Sequence, residues 1–231
     1  NNVAGTFSLG GITLGGTGGA STASGVTISG NPLSLATRTS TGTAPVVSLE
    51  ANKNPAANSS LLYTVSASIA LADDTTFTGG GTADFVFSGP LSGAGSLTKS
   101  GGGTLKLTGA NTYAGATTVN AGILAVNGTS INDNGKLDIA GGKVDASGTE
   151  TVKTLFFGGV QQSAGTWGSS ASPALPAFQD DTRFAGTGVV VVTDSPDAYA
   201  NWIDQAIYNA PPLTTDQKQP TADPDSDGIT N

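Results

Sequence analysis

The residues with the clearest chemical capacity stand at the end of the chain, in Asp223-Pro224-Asp225-Ser226-Asp227-Gly228-Ile229-Thr230-Asn231. Three carboxylates at alternate positions, followed by a glycine for a tight turn, are what a hard, oxygen-seeking cation requires. In a calcium loop Asp223, Asp225 and Asp227 would fill positions 1, 3 and 5. Gly228 would make the turn at position 6, the Ile229 carbonyl would serve at 7, and Asn231 would sit at 9. The acid expected at position 12 falls past Asn231, so this segment alone would hold the ion weakly. Ca2+ is the only cofactor expected. The competing reading is a solvated acidic terminus.

Other chemistry is poorly supplied. The chain has no His and no Cys, so Ser-His-Asp and Cys-His arrangements cannot be built, nor zinc sites that use those ligands. Asp73-Asp74 and Asp180-Asp181 are adjacent pairs. A glycosidase needs two carboxylates facing each other across a cleft, and neighbouring strand residues point to opposite faces. A polysaccharide lyase would need an acidic calcium site beside a Lys or Arg base, but the basic residues are dispersed. Gly79-Gly80-Gly81 lacks the lysine and the strand-to-helix setting of a phosphate loop. The expectation is that the protein is not an enzyme; a lyase or hydrolase is the least favoured reading.

The elements that would carry these groups are short strands. Ile12-Thr13-Leu14, Val26-Thr27-Ile28, Leu33-Ser34-Leu35, Val46-Val47-Ser48-Leu49 and Ile69-Ala70-Leu71 mostly alternate apolar and small polar residues. Such alternation turns one face inward and one outward. Glycine-rich and Asn-Pro turns separate them. Gly, at 34 residues, is about twice its usual share, while charged residues are less than half theirs. Aromatics supply only 6%, which suits a thin, long core lined by small or β-branched residues. The fold expected is all-β, a right-handed parallel β-helix of on the order of eight coils, each of roughly twenty-odd residues.

The pattern is sharpest in Phe87–Gly128, FSGPLSGAGSLTKSGGGTLKLTGANTYAGATTVNAGILAVNG. Strands are expected at 97–99, 104–107, 117–119 and 123–126, with positive φ in Gly101-Gly102-Gly103 and Asn111 and Asn120 at corners or in side-chain ladders. This stretch resembles the autotransporter-associated β-strand repeat of secreted bacterial proteins. The resemblance implies a passenger-type solenoid outside the cell. Leu155–Val192 resembles the closing segment that follows such repeats, with Gly165-Thr166-Trp167-Gly168 folding over the last coil and Phe184-Ala185-Gly186-Thr187-Gly188 as the return strand. Phe156, Phe157, Trp167, Phe178 and Phe184 would cover the open end as an aromatic cap.

After Thr193 the character changes. Residues 1–193 carry ten acids and eight bases, whereas 194–231 carry seven acids and one base, most of the net charge of −8. Ser195-Pro196-Asp197 can start a helix. Tyr199, Trp202, Ile203 and Ile207 then form one apolar stripe for docking, on the body or on a neighbouring molecule. The acidic end resembles the calcium motif of dockerin and thrombospondin type 3 repeats. The organisation expected is a β-helix body over 1–193, with the repeat at 87–128 and the closing cap at 155–193, then a helix and calcium-like tail over 194–231.

No apolar run approaches the ~20 residues that span a membrane, and a basic footprint for nucleic acid is missing. The function expected is a secreted, non-catalytic structural protein of a bacterial surface or extracellular matrix. It would assemble end to end into filaments, with calcium as a clamp and copies of itself or other surface proteins as partners. The alternative is an adhesive or glycan-binding module using the outward Ser, Thr and Asn.

Overall fold

A computed structural model describes residues 6–15, 25–53 and 60–196. All the described strands lie in the first of the chain's two units, Asn1–Asp194. They trace successive coils. The first coil holds β1 (Phe7–Leu9), β2 (Gly11–Leu14) and β3 (Gly25–Ile28), and the second β4 (Leu33–Leu35), β5 (Val46–Leu49) and β6 (Leu62–Val65). The third holds β7 (Ile69–Leu71), β8 (Thr75–Thr78) and β9 (Asp84–Phe87). The fourth holds β10 (Leu91–Ser92), β11 (Leu97–Lys99) and β12 (Thr104–Leu107). Two-stranded coils follow, β13 (Thr117–Val119) with β14 (Ile123–Val126), then β15 (Lys136–Ile139) with β16 (Lys143–Ala146). The seventh starts with β17 (Thr149–Val152) and β18 (Thr154–Phe157). The closing segment adds β19 (Val160–Gln161), β20 (Gly165–Gly168), a 3-10 turn at Pro176–Phe178, β21 (Phe184–Ala185) and β22 (Val189–Val192).

Because the chain crosses each face once per coil, neighbouring strands run parallel. The first face stacks β1-β4-β7-β10, the second runs from β2 to β18, and the third from β3 to β21. The architecture is all-β and β-helix-like; among the described residues the 3-10 turn is the sole helical element. The strands expected at 97–99, 104–107, 117–119 and 123–126 form at those bounds.

Register turns the alternation into continuous columns. On the third face Val26, Tyr63, Phe85, Leu105, Leu124, Val144 and Phe184 stack one per coil. On the second face Ile12, Val47, Phe77, Lys99, Val119 and Ile139 do the same. The steps along that column are 35, 30, 22, 20 and 20 residues, so the coils shorten toward the repeat. Coils sit about 4.8 Å apart, which leaves each apolar side chain packed between its counterparts above and below.

The interior is more aromatic than the composition implied. Phe77, Phe85, Phe87 and Tyr113 are all buried, and Phe77 meets Phe87 edge-on at 5.3 Å. A small aromatic total is sufficient here because these rings are concentrated in the third to fifth coils. Of the three glycines at the expected corner, Gly101 takes positive φ, at 79°.

The first face has no strand between β10 and β17. Side chains bridge the gap. The Leu91 amide donates to Asn111 Oδ1 at 2.7 Å, and Asn111 Nδ2 donates to the Ser130 carbonyl at 2.8 Å. The amides of Gly128, Ser130 and Ile131 then donate to the Glu150 carboxylate at 2.8, 3.2 and 2.7 Å. Asn111, Ser130 and Glu150 are all buried. They accept and donate what strand partners would otherwise supply, which a buried backbone requires.

Candidate functional site

The closing segment brings four of the five expected aromatics together. β18 places Phe157 at the last coil, β20 carries Trp167 across it, the 3-10 turn supplies Phe178, and β21 supplies Phe184. The Phe157 ring meets Trp167 edge-on at 5.3 Å and lies 6.1 Å from Phe184, while Trp167 meets Phe178 edge-on at 5.1 Å. Trp167 Nε1 donates to the Ser163 carbonyl at 3.0 Å, which satisfies its polar edge. The Arg183 guanidinium lies 4.4 Å over Phe157 and is held by Asp180 at 2.7 Å.

Phe156 is elsewhere. It precedes Phe157 by one residue on β18 and so faces outward, with Lys136 Nζ 4.0 Å above its ring. Gly165–Gly168, the segment expected to fold over the last coil, is a strand, antiparallel to β22. Gly165 is required there: at φ +153° its missing Cβ would stand 2.6 Å from the Phe178 ring. β19 likewise pairs antiparallel with β18. β18 and β22 therefore each meet a strand of reversed direction, while β21 is the outermost described strand of the third face.

Among the described residues, two side chains that carry charge at neutral pH when exposed, Lys99 and Glu150, are buried in the solenoid, and neither stood out in the sequence. Lys99 is fully buried in the second-face column and donates to the carbonyls of Ser100, Gly101 and Ala121 at 3.1, 2.8 and 3.2 Å. Burial lowers its pKa to about 8. Gly122 leaves room for it, since a Cβ there would lie 2.7 Å from Lys99 Nζ. Burial pushes the Glu150 carboxyl up, against three backbone amides that pull it down. The available signal was period two: Lys99 shares a face with Leu97, and Glu150 with Val152.

Asp73 and Asp74 border a concavity of about 340 Å³ with Thr37, Ala44, Ala72 and Ala94. Each aspartate accepts a backbone amide, Asp73 from Thr37 at 2.7 Å and Asp74 from Ser96 at 2.9 Å. Outward on the second face, Thr76, Thr98 and Thr118 stand in register on consecutive coils. The calcium-type residues Asp223, Asp225, Asp227, Ile229 and Asn231 and the docking stripe Tyr199, Trp202, Ile203 and Ile207 lie outside the described residues. Among the described residues no three acidic side chains gather as a metal group, and no helix is long and apolar enough to cross a membrane.

Residues 97–126 match the passenger-associated-transport-repeat family. That span starts at β11 and ends at β14, and it contains Lys99, Asn111 and Tyr113. No curated protein and no solved structure matches the chain.

Proposed function

We propose that this chain is a secreted, non-catalytic structural module of a bacterial surface or extracellular matrix, of the autotransporter-passenger kind, which assembles end to end. The observation that carries this reading is the passenger-associated repeat at 97–126, seated in register within stacked parallel coils. A solenoid of this kind is a rigid spacer whose length follows from coil number. The coil is right-handed, as parallel crossovers overwhelmingly are. Phe157, Trp167, Phe178 and Phe184 act as the cap of the last coil, supported by their mutual ring contacts. The acidic residues at 223–231 clamp neighbouring molecules through Ca2+, and the stripe from Tyr199 to Ile207 docks beside them.

Electron microscopy of the whole chain with calcium, then with a chelator, tests this. Particles that extend in calcium and come apart in chelator are expected. Monomers in both conditions would overturn assembly. The in-register Thr76, Thr98 and Thr118 favour a second reading, an adhesive or glycan-binding module. Binding on a glycan array would select it.

A further inference from the structure

Asn-Gly occurs twice in the chain, at Asn127-Gly128 and at Asn134-Gly135. In such a pair the glycine nitrogen lies within reach of the asparagine side-chain amide, and closing on it forms a five-membered ring. Glycine favours the step because no Cβ crowds the approach. In an open loop the step still wants a base for the N–H and a donor for the oxygen that gains charge.

The corner after β14 offers both. The Gly128 amide donates to Glu150 Oε2 at 2.8 Å, and Glu150 is buried. Burial raises the Glu150 carboxyl, which makes its anion a better proton acceptor than an exposed carboxylate. Ser130 Oγ stands 3.0 Å from Asn127 Oδ1 and 2.7 Å from the Leu107 carbonyl, so its single proton can turn to Oδ1 as charge develops there. Asn127 is exposed, so water reaches whatever forms at it. The second pair is held differently. The Gly135 amide donates to the Asn132 carbonyl at 2.7 Å, a group that accepts a hydrogen bond but not a proton.

We propose that Asn127-Gly128 is a self-modifying site, in which the Gly128 nitrogen closes on the Asn127 side-chain amide with Glu150 as base. The Gly128 N–H proton passes to Glu150 Oε2, and the nitrogen bonds to Asn127 Cγ. The Cγ–Nδ2 bond breaks, Nδ2 takes the proton back from Glu150, and ammonia leaves. The N–H bond to Glu150 lies in the plane of the amide and attack comes perpendicular to it, so the two do not compete. Water then opens the ring at either carbonyl, leaving aspartate or isoaspartate at 127. Each product sets a carboxylate beside the amides that cradle Glu150, and isoaspartate also lengthens the main chain by a methylene. The link from β14 to β15 would loosen as the molecule ages.

Incubation of the whole chain at neutral pH, followed by peptide mass mapping, reads the loss of ammonia at residue 127 and then the gain of water. Asn127 should convert faster in the native chain than in the same chain unfolded in denaturant, whereas Asn134 should convert no faster native than unfolded. Glu150→Gln keeps an acceptor for the amides without a base, and should slow Asn127 at least about tenfold while leaving Asn134 unchanged. Circular dichroism confirms that the variant folds. Asn127 that converts no faster in the native chain than in denaturant, or that keeps its native rate in folded Glu150→Gln, would overturn the proposal. If the variant does not fold, the comparison of native with unfolded chain decides alone.

Discussion

The Lys99 ammonium donates to the Ala121 carbonyl at 3.2 Å, so a side chain of the fourth coil holds the backbone of the fifth. In the column it stands between Phe77 and Val119. A charge in that position is tolerable only because three carbonyls receive it.

Lys99 should make stability depend on alkaline pH. Burial lowers its pKa from 10.5 to about 8. Between those values the folded chain binds fewer protons than the unfolded chain, so stability rises with pH. The penalty is complete below the folded value and gone above the unfolded one, a change of about 3 kcal/mol. The stability of the native chain relative to Lys99→Met should increase by that order across the window, read by denaturant titration at each pH. A flat difference would mean an ordinary lysine.

Glu150→Ala should be among the most destabilising substitutions, at about 3 kcal/mol or more, since it strands the amides of Gly128, Ser130 and Ile131, the last two buried. Glu150→Gln should cost less, keeping one acceptor while turning an N–H toward an amide donor. Burial raises the native carboxyl, so the folded state binds more protons than the unfolded state. The native chain should therefore lose stability relative to Glu150→Gln as pH rises from acid through the raised pKa. Thermal melts over the acid range would read the sign, and the opposite slope would show that the amides outweigh burial.

At the late end, Gly165→Ala forces a methyl against the Phe178 ring and a side chain into positive φ. A loss of about 1–3 kcal/mol is expected. Trp167→Ala removes the ring that joins Phe157 to Phe178 and should cost about 2 kcal/mol or more. In both variants the near-ultraviolet dichroism should weaken while the strand signal persists. Unchanged melting would show that the aromatic layer does not seal the last coil.

Within the repeat, Leu124→Ala should cost about 2–5 kcal/mol by opening a cavity between Leu105 and Val144. Thr98→Ala, one residue from Lys99 but facing outward, should stay within about 0.5 kcal/mol. Equal effects would contradict the assigned faces.

Calcium should raise the melting temperature of the native chain, and Asp225→Asn with Asp227→Asn should remove the increase. Calorimetric titration checks the same point; heats identical for the native chain and the double variant would remove the ion from these residues.

Much of the solenoid was legible because alternation is a local property. Leu33-Ser34-Leu35 and Thr117-Thr118-Val119 declare an inward and an outward face without reference to the rest of the chain, and the glycine clusters mark where each strand must stop. Four of the closing segment's aromatics, Phe157, Trp167, Phe178 and Phe184, pack on one another in a chain of ring contacts. What the sequence did not disclose depends on register, which is set between residues some twenty positions apart. Register put Lys99 in line with Phe77 and Val119, and it aligned Asn111, Ser130 and Glu150 where the first face lacks strands. It also separated Phe156 from its neighbour Phe157, since one step along a strand reverses the face. Sequence determined which residues could form the coils. Only the stacking of one coil on the next decided which polar groups were buried and therefore had to be answered.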